Sequence, residues 1–210
     1  MMQQKQIMMQ KKMTPLSRAL AGENPTGSVT PLDALQVGRK RWLDGDKINM
    51  GSIAKELGVN RATLFRWVGN RELFVGEVIW SFYQELLDAT LETTTGEGPD
   101  YVISVFEQLL RKVMNSEALY RFIRQDPEYG IRILTSKTSL FQARSVNAIR
   151  ELILVQSEKT GWAPPIDPDD LAFLLVRVGE SFLYGDVISG QKTEITQTTM
   201  AVRLLISGHA

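Results

Sequence analysis

Residues 48–73 read INMGSIAKELGVNRATLFRWVGNREL, and no other stretch so narrows the folds open to this chain. Helical spacing divides it into two short helices joined by a tight turn. Asn49 is a good N-cap for the first helix. Ile53, Ala54 and Leu57 form its inner face. Gly58 follows where a helix stop needs a left-handed residue, and Val59 plugs the turn. Asn60 caps a second helix whose inner residues are Leu64 and Trp67 or Val68. The outward residues Arg61, Ala62, Phe65 and Arg66 make a short basic face of the size of a groove. The pattern predicts a helix-turn-helix.

Charge is split along the chain. Its 210 residues are neutral overall, but residues 1–75 hold 12 Lys and Arg against 6 Asp and Glu, and residues 76–210 reverse the excess. A polyanion partner, double-stranded DNA, therefore suits the first part alone. There are no cysteines, which removes disulfides and thiolate metal sites and suits a reducing cytoplasm. No apolar run reaches the roughly 18 residues a membrane span needs. The first residues lack the apolar core of a signal peptide. A cytoplasmic protein away from membranes is expected.

Residues 1–29 read as a flexible basic arm in which Lys5, Lys11, Lys12 and Arg18 could lie along DNA. A solvated tail is the plainer reading. Thr30-Pro31 opens a helix with Leu35 and Trp42 inward, and Gly45 ends it. With the motif it predicts a three-helix DNA-binding bundle over residues 30–75. A longer helix from Arg71 to about Leu91, with Phe74, Val78, Phe82 and Leu86 at near i+4 spacing, connects the bundle to the rest. After the breaker TTTGEGPD, residues 100–206 read as helix throughout, with caps at Ser116, Asp126, Ser136 or Thr138, and Asp167, and a last helix from Thr193. The fold class is all-α, with residues 76–210 as a larger helical ligand-binding and dimerisation domain.

LAFLLVRVGESFLYGDVI (residues 171–188) is apolar nearly all round, so it needs cover on most sides. The following helix carries Met200, Val202, Leu204, Leu205 and Ile206. A homodimer through residues 171–206 would supply the cover, and a palindrome-reading motif needs a second copy. An ordinary buried core helix is the alternative.

These residues resemble the TetR family of one-component repressors. The resemblance runs over residues 30–80 and rests on Ile48-Asn49, Ile53-Ala54, Leu57-Gly58-Val59-Asn60, Thr63-Leu64-Phe65 and Gly69-Asn70-Arg71-Glu72. A fainter similarity runs to the QsdR-like branch, linked to control of lactone and quorum-signal degradation. The resemblance implies that positions matching Arg61, Ala62 and Phe65 meet base edges and those matching Thr63, Trp67 and Arg71 meet phosphates. Phe65 stands where tyrosine is commonest, which leaves stacking or thymine-methyl contact. Trp67 replaces the usual His or Tyr but keeps an N–H donor. Leu73 stands where an acid is frequent, and Gly51 where some members reach a base.

Arg61, in the first turn of the second helix, presents a fork matching guanine O6 and N7. Arg66 serves a base or a phosphate, and Lys47 is a phosphate candidate. A regulator of this kind needs a cavity whose filling moves the connecting helix. Phe106, Leu110, Met114, Phe122, Phe141, Ile149, Phe173 and Tyr184 are the apolar candidates, each also readable as plain core. Arg177 and Glu180 interrupt the most apolar helix on one face. They are either a structural ion pair, or Arg177 meets a carboxylate or lactone oxygen of a small lipophilic effector. An enzyme has little support: His209 is the only histidine, no glycine-rich loop follows a strand, and no cofactor or catalytic set is expected. Asp167, Asp169 and Asp170 suit a helix start better than a metal. A further alternative is a DNA-binding regulator that uses its helical half only to dimerise; a pocket-free core would favour it.

Overall fold

The computed structural model describes residues 13–190 and 194–208, with backbone alone at 186–189. Lys5, Lys11, Lys12, Thr193 and His209 lie outside the described residues. Among the described residues there are eleven helices and no strand, so the fold is all-α. The chain divides into two compact units, Met1–Ile79 and Trp80–Ala210.

The first unit holds α1 (Pro15–Leu20), α2 (Pro31–Asp44), α3 (Met50–Glu56), α4 (Arg61–Val68) and the start of α5 (Arg71–Thr93). Each start is set locally. Thr30 and Asp33 close a reciprocal capping box on α2, with Thr30 N donating to Asp33 Oδ2 at 2.7 Å. Those bonds from Thr30 hold the Asp33 carboxyl below its ordinary range. Asn49 Oδ1 accepts from Gly51 N and Ser52 N, and Asn60 Oδ1 from Thr63 N at 2.7 Å. Gly58, at φ +67°, makes the turn between α3 and α4. The core comprises Leu16, Ala34, Leu35, Trp42, Ile53, Leu64, Val68, Phe74 and Val78. Val68, not Trp67, is the second inner residue of α4. Leu57 and Val59 are only partly covered, because the motif's turn stands at the surface.

The reading of residues 1–29 as a flexible arm is corrected over α1. Thr14 Oγ1 caps this helix by accepting from Ser17 N at 3.1 Å. The helix packs on α2 and α4 and buries Leu16 completely. Ser17 Oγ donates to the buried Glu77 Oε1 on α5 at 2.6 Å. The buried Leu16 side chain and the Ser17–Glu77 hydrogen bond anchor this short helix on the bundle.

The second unit begins within α5 and continues as α6 (Gly98–Met114), α7 (Glu117–Gln125), α8 (Pro127–Thr135), α9 (Phe141–Thr160), α10 (Pro168–Ser189) and α11 (Ile195–Ser207). α9 and α10 pack together, α6 lies against α9 and α11, and α7 packs on α8. Ser116 and Asp126 cap α7 and α8 as the sequence predicts. Ser136 and Thr138 do not start α9. The Ser136 hydroxyl donates to Arg132 O at 2.5 Å and so closes α8, and α9 begins only after Ser139 Oγ has accepted from Phe141 N. Asp167 Oδ1 accepts from Asp169 N at 2.8 Å at the start of α10, and Asp169 pairs with Arg150 at 2.5 Å. No helix among the described residues is long and apolar enough to cross a membrane.

Candidate DNA interface and effector cavity

On α4 the residues divide cleanly. Leu64 and Val68 point into the bundle, while Arg61, Ala62, Phe65 and Arg66 are exposed. A helix of eight residues with its N-cap bonded and its inner side buried presents a fixed outer face. That face offers two guanidinium forks and one aromatic ring, tools for base edges, thymine methyls and phosphates. Thr63 and Trp67 flank it half-buried, and Lys47 is exposed just before α3. The Arg61 side chain lies over Gly51: a Cβ there would meet Arg61 Nε at 3.9 Å. That is ordinary van der Waals distance, so the arginine stem passes beside the glycine; the tighter neighbour of such a Cβ is Asn49 Oδ1 at 3.3 Å. Arg71 has a structural duty as well, since its Nε donates to Ile48 O at 3.1 Å and ties α5 to the segment entering α3.

The second unit contains a cavity with about 580 Å³ of atom-free space, part of it open to solvent, lined by residues of α5 to α10. Phe106, Leu110, Phe141, Ile149, Glu180 and Tyr184, all expected from the sequence, line it. Met114, Phe122, Phe173 and Arg177 do not. On α6 the lining runs Phe106, Leu109, Leu110 and Val113, and Met114 is one step round from it. Phe122 turns to Tyr129, edge to face with centroids 6.1 Å apart. Phe173 lies with Leu174 on an exposed face of α10.

The lining also includes residues that sequence reasoning missed. Leu109 and Val113 share the helical stripe of Phe106 and could have been taken from it. Tyr83 gave no signal, because the apolar spacing of α5 favours its neighbour Phe82. Tyr83 stacks edge to face on Phe141 at 5.4 Å and lies 5.5 Å from the Trp80 ring. Small Gly179 admits the Phe106 ring, whose Cζ would stand 3.3 Å from a Cβ.

The polar groups of the wall are few. Ser145 Oγ donates to Phe141 O at 3.0 Å. Burial raises the phenols of Tyr83 and Tyr184 above the ordinary tyrosine range, and the Glu180 charge adds to the effect on Tyr184. Both hydroxyls thus stay protonated donors. Glu180 is itself raised, because burial outweighs the charge of Arg177 beside it. Its Oε2 accepts from Arg177 Nη1 at 2.6 Å.

A family profile described as "Tetracyclin repressor-like, C-terminal domain" matches residues 97–207. Among solved structures, the R. erythropolis transcriptional repressor QsdR, from the TetR family, is 25% identical and superposes with a TM-score of 0.78. That match covers 86% of this chain and 95% of QsdR. The fatty acid degradation regulator FadR from Bacillus halodurans is 14% identical at a TM-score of 0.50, over 88% of this chain and 98% of that one. Bacillus subtilis FadR, solved with stearoyl-CoA, is 14% identical at 0.51, over 85% and 99%. These two share the fold. No curated protein matches the chain.

Proposed function

The chain belongs to the TetR family of non-enzymatic, DNA-binding transcriptional regulators, and from that premise we propose that it is a cytoplasmic repressor released from its operator by a small lipophilic effector. One observation carries the reading. Helix α5 supplies Phe74 and Val78 to the core beneath the helix-turn-helix and, further along, Tyr83 to the cavity wall. A ligand that displaces Tyr83 acts on the same helix whose Arg71 is bonded to Ile48 beside α3. Effector and operator then compete for two settings of one helix, and the coupling is reciprocal.

The operator reading assigns Arg61, Ala62 and Phe65 to base edges, Arg66 to a base or a phosphate, and Lys47, Thr63, Trp67 and Arg71 to phosphates. The exposure of Arg61, Ala62, Phe65 and Arg66 supports it. A homodimer through α10 and α11 would read a palindrome. Phe173 and Leu174 on α10 and Met200 and Leu204 on α11, all exposed in the single chain, support that interface. The effector reading takes an acyl chain or a lactone. The apolar lining supports it, and so does the likeness to QsdR; the cavity weighs against a regulator with no effector.

Selection of bound sequences from random DNA, repeated with medium-chain acids, amides and lactones, tests the proposal. The expected result is a palindromic site lost on adding one of these compounds. Enrichment of no sequence, or a bound palindrome that none of them releases, counts against it.

A further inference from the structure

Arg177 and Glu180 form one ion pair on α10, yet its two ends have different surroundings. The Arg177 side chain is 47% exposed and is not part of the cavity wall. The Glu180 side chain is 11% exposed and is part of it. With the Gln142 amide turned to suit its neighbours, Gln142 also accepts from Arg177 Nη1 at 3.0 Å while donating to Thr135 O at 2.8 Å. The guanidinium is thus held at the outside, and the charged group of the wall is the carboxylate.

Around it the wall is apolar except for three hydroxyls. Ser145 has its proton committed to Phe141 O. The phenols of Tyr83 and Tyr184 are protonated donors, and Tyr184 is near enough to feel the Glu180 charge. A carboxylate accepts several hydrogen bonds and Arg177 takes only part of that capacity. A wall of one acceptor anion and two phenol donors fits a ligand head that both donates and accepts. It opposes an anionic head, since two like charges in apolar surroundings repel strongly and leave both poorly solvated.

We propose that the cavity selects an uncharged amphipathic ligand: an apolar body whose head donates an amide N–H or hydroxyl to Glu180 and accepts from Tyr83 or Tyr184 through a carbonyl oxygen. Free fatty acids and their phosphate-bearing thioesters are disfavoured. The inference rests on the effector reading above and specifies its ligand.

Calorimetric titration of the full chain at neutral pH with octanamide, methyl octanoate and octanoate tests it. Octanamide offers donor and acceptor, the ester only an acceptor, and the acid a negative charge. Octanamide is expected to bind about tenfold or more tighter than either, the size of one useful hydrogen bond. Glu180→Gln is expected to erase the preference of amide over acid. Tyr184→Phe is expected to weaken amide and ester alike. Octanoate binding wild type as tightly as octanamide overturns the proposal, and so does an unchanged preference in Glu180→Gln. An ester as tight as the amide overturns the donor assignment to Glu180. If none of the three binds, the effector reading of the cavity falls and this inference with it; binding led by octanoate overturns the inference alone.

Discussion

Ser17 Oγ donates to Glu77 Oε1 at 2.6 Å, and both residues are almost fully buried. The bond joins the short first helix to the helix that leaves the DNA-binding unit. Ser17→Ala removes the donor and leaves a buried carboxylate one partner short. The expected cost is about 1–3 kcal/mol, read from the urea midpoint with an unchanged slope. Alanine at exposed Arg18 serves as control, with a shift under about 0.5 kcal/mol. Equal midpoints for the two variants would show that α1 contributes little to the fold.

Gly38 lets α2 approach α5 closely. A Cβ there would stand 2.6 Å from Phe74 Cζ and 3.0 Å from Val78 Cγ2. Gly38→Ala is expected to destabilise by about 1–3 kcal/mol through overpacking, despite the better helix propensity of alanine. Adding Phe74→Leu, which removes the ring, is expected to cost less in the Gly38→Ala background than in wild type. Strict additivity in that double-mutant cycle would dismiss the steric account.

Arg61 and Lys47 separate the two kinds of DNA contact. Arg61→Ala is expected to lower operator affinity by about 1–3 kcal/mol and to relax the preference at one base pair. Lys47→Ala is expected to weaken all sequences evenly and to reduce the salt slope by about one. The measurement is a titration of operator and scrambled DNA at several salt concentrations. A uniform loss for Arg61→Ala would make it a phosphate contact.

Val176 lines the cavity and is almost fully buried. Val176→Phe fills space a ligand needs while leaving α4 untouched. The expected phenotype is retained operator binding with no release by effector. Thermal melting shows whether the added volume fits, with a penalty of up to about 3 kcal/mol. Normal release would place the effector elsewhere.

Glu180 gives a pH signature. Its carboxyl is raised above 4.5 in the folded chain, first by burial, with Arg177 offsetting part of it. The folded state therefore holds this proton more tightly than the unfolded one, and the ionised form costs stability at neutral pH. That cost is relieved as pH falls through the raised value. The stability of Glu180→Gln relative to wild type is expected to be greatest near neutrality and to shrink on acidification. Melting temperatures of both proteins from about pH 7 down to about pH 4.5 give the difference; a flat or widening difference contradicts the shift.

The sequence by itself determined what depends on near neighbours in the chain. Asn49 and Asn60 bond amides two or three residues on, Gly58 takes a turn conformation other residues resist, and Leu64 and Arg66, two apart, fall on opposite sides of one helix turn. Such features need only local geometry, so the helix-turn-helix and its outer face were legible in the order of the residues. Leu16 and Ser17 were not, because their value lies in a surface built by residues distant in sequence, with Glu77 sixty positions away. For the same reason Ser136 read as a start and proved to be an end. Arg177 and Glu180 show the limit most plainly. Spacing put both on one stretch of an apolar helix, but only the packing of α9 and of the Phe106 ring of α6 against α10 decided that the carboxylate faces the cavity and the guanidinium the solvent. Burial is a property of the assembled neighbours, and it sets which charge a ligand meets.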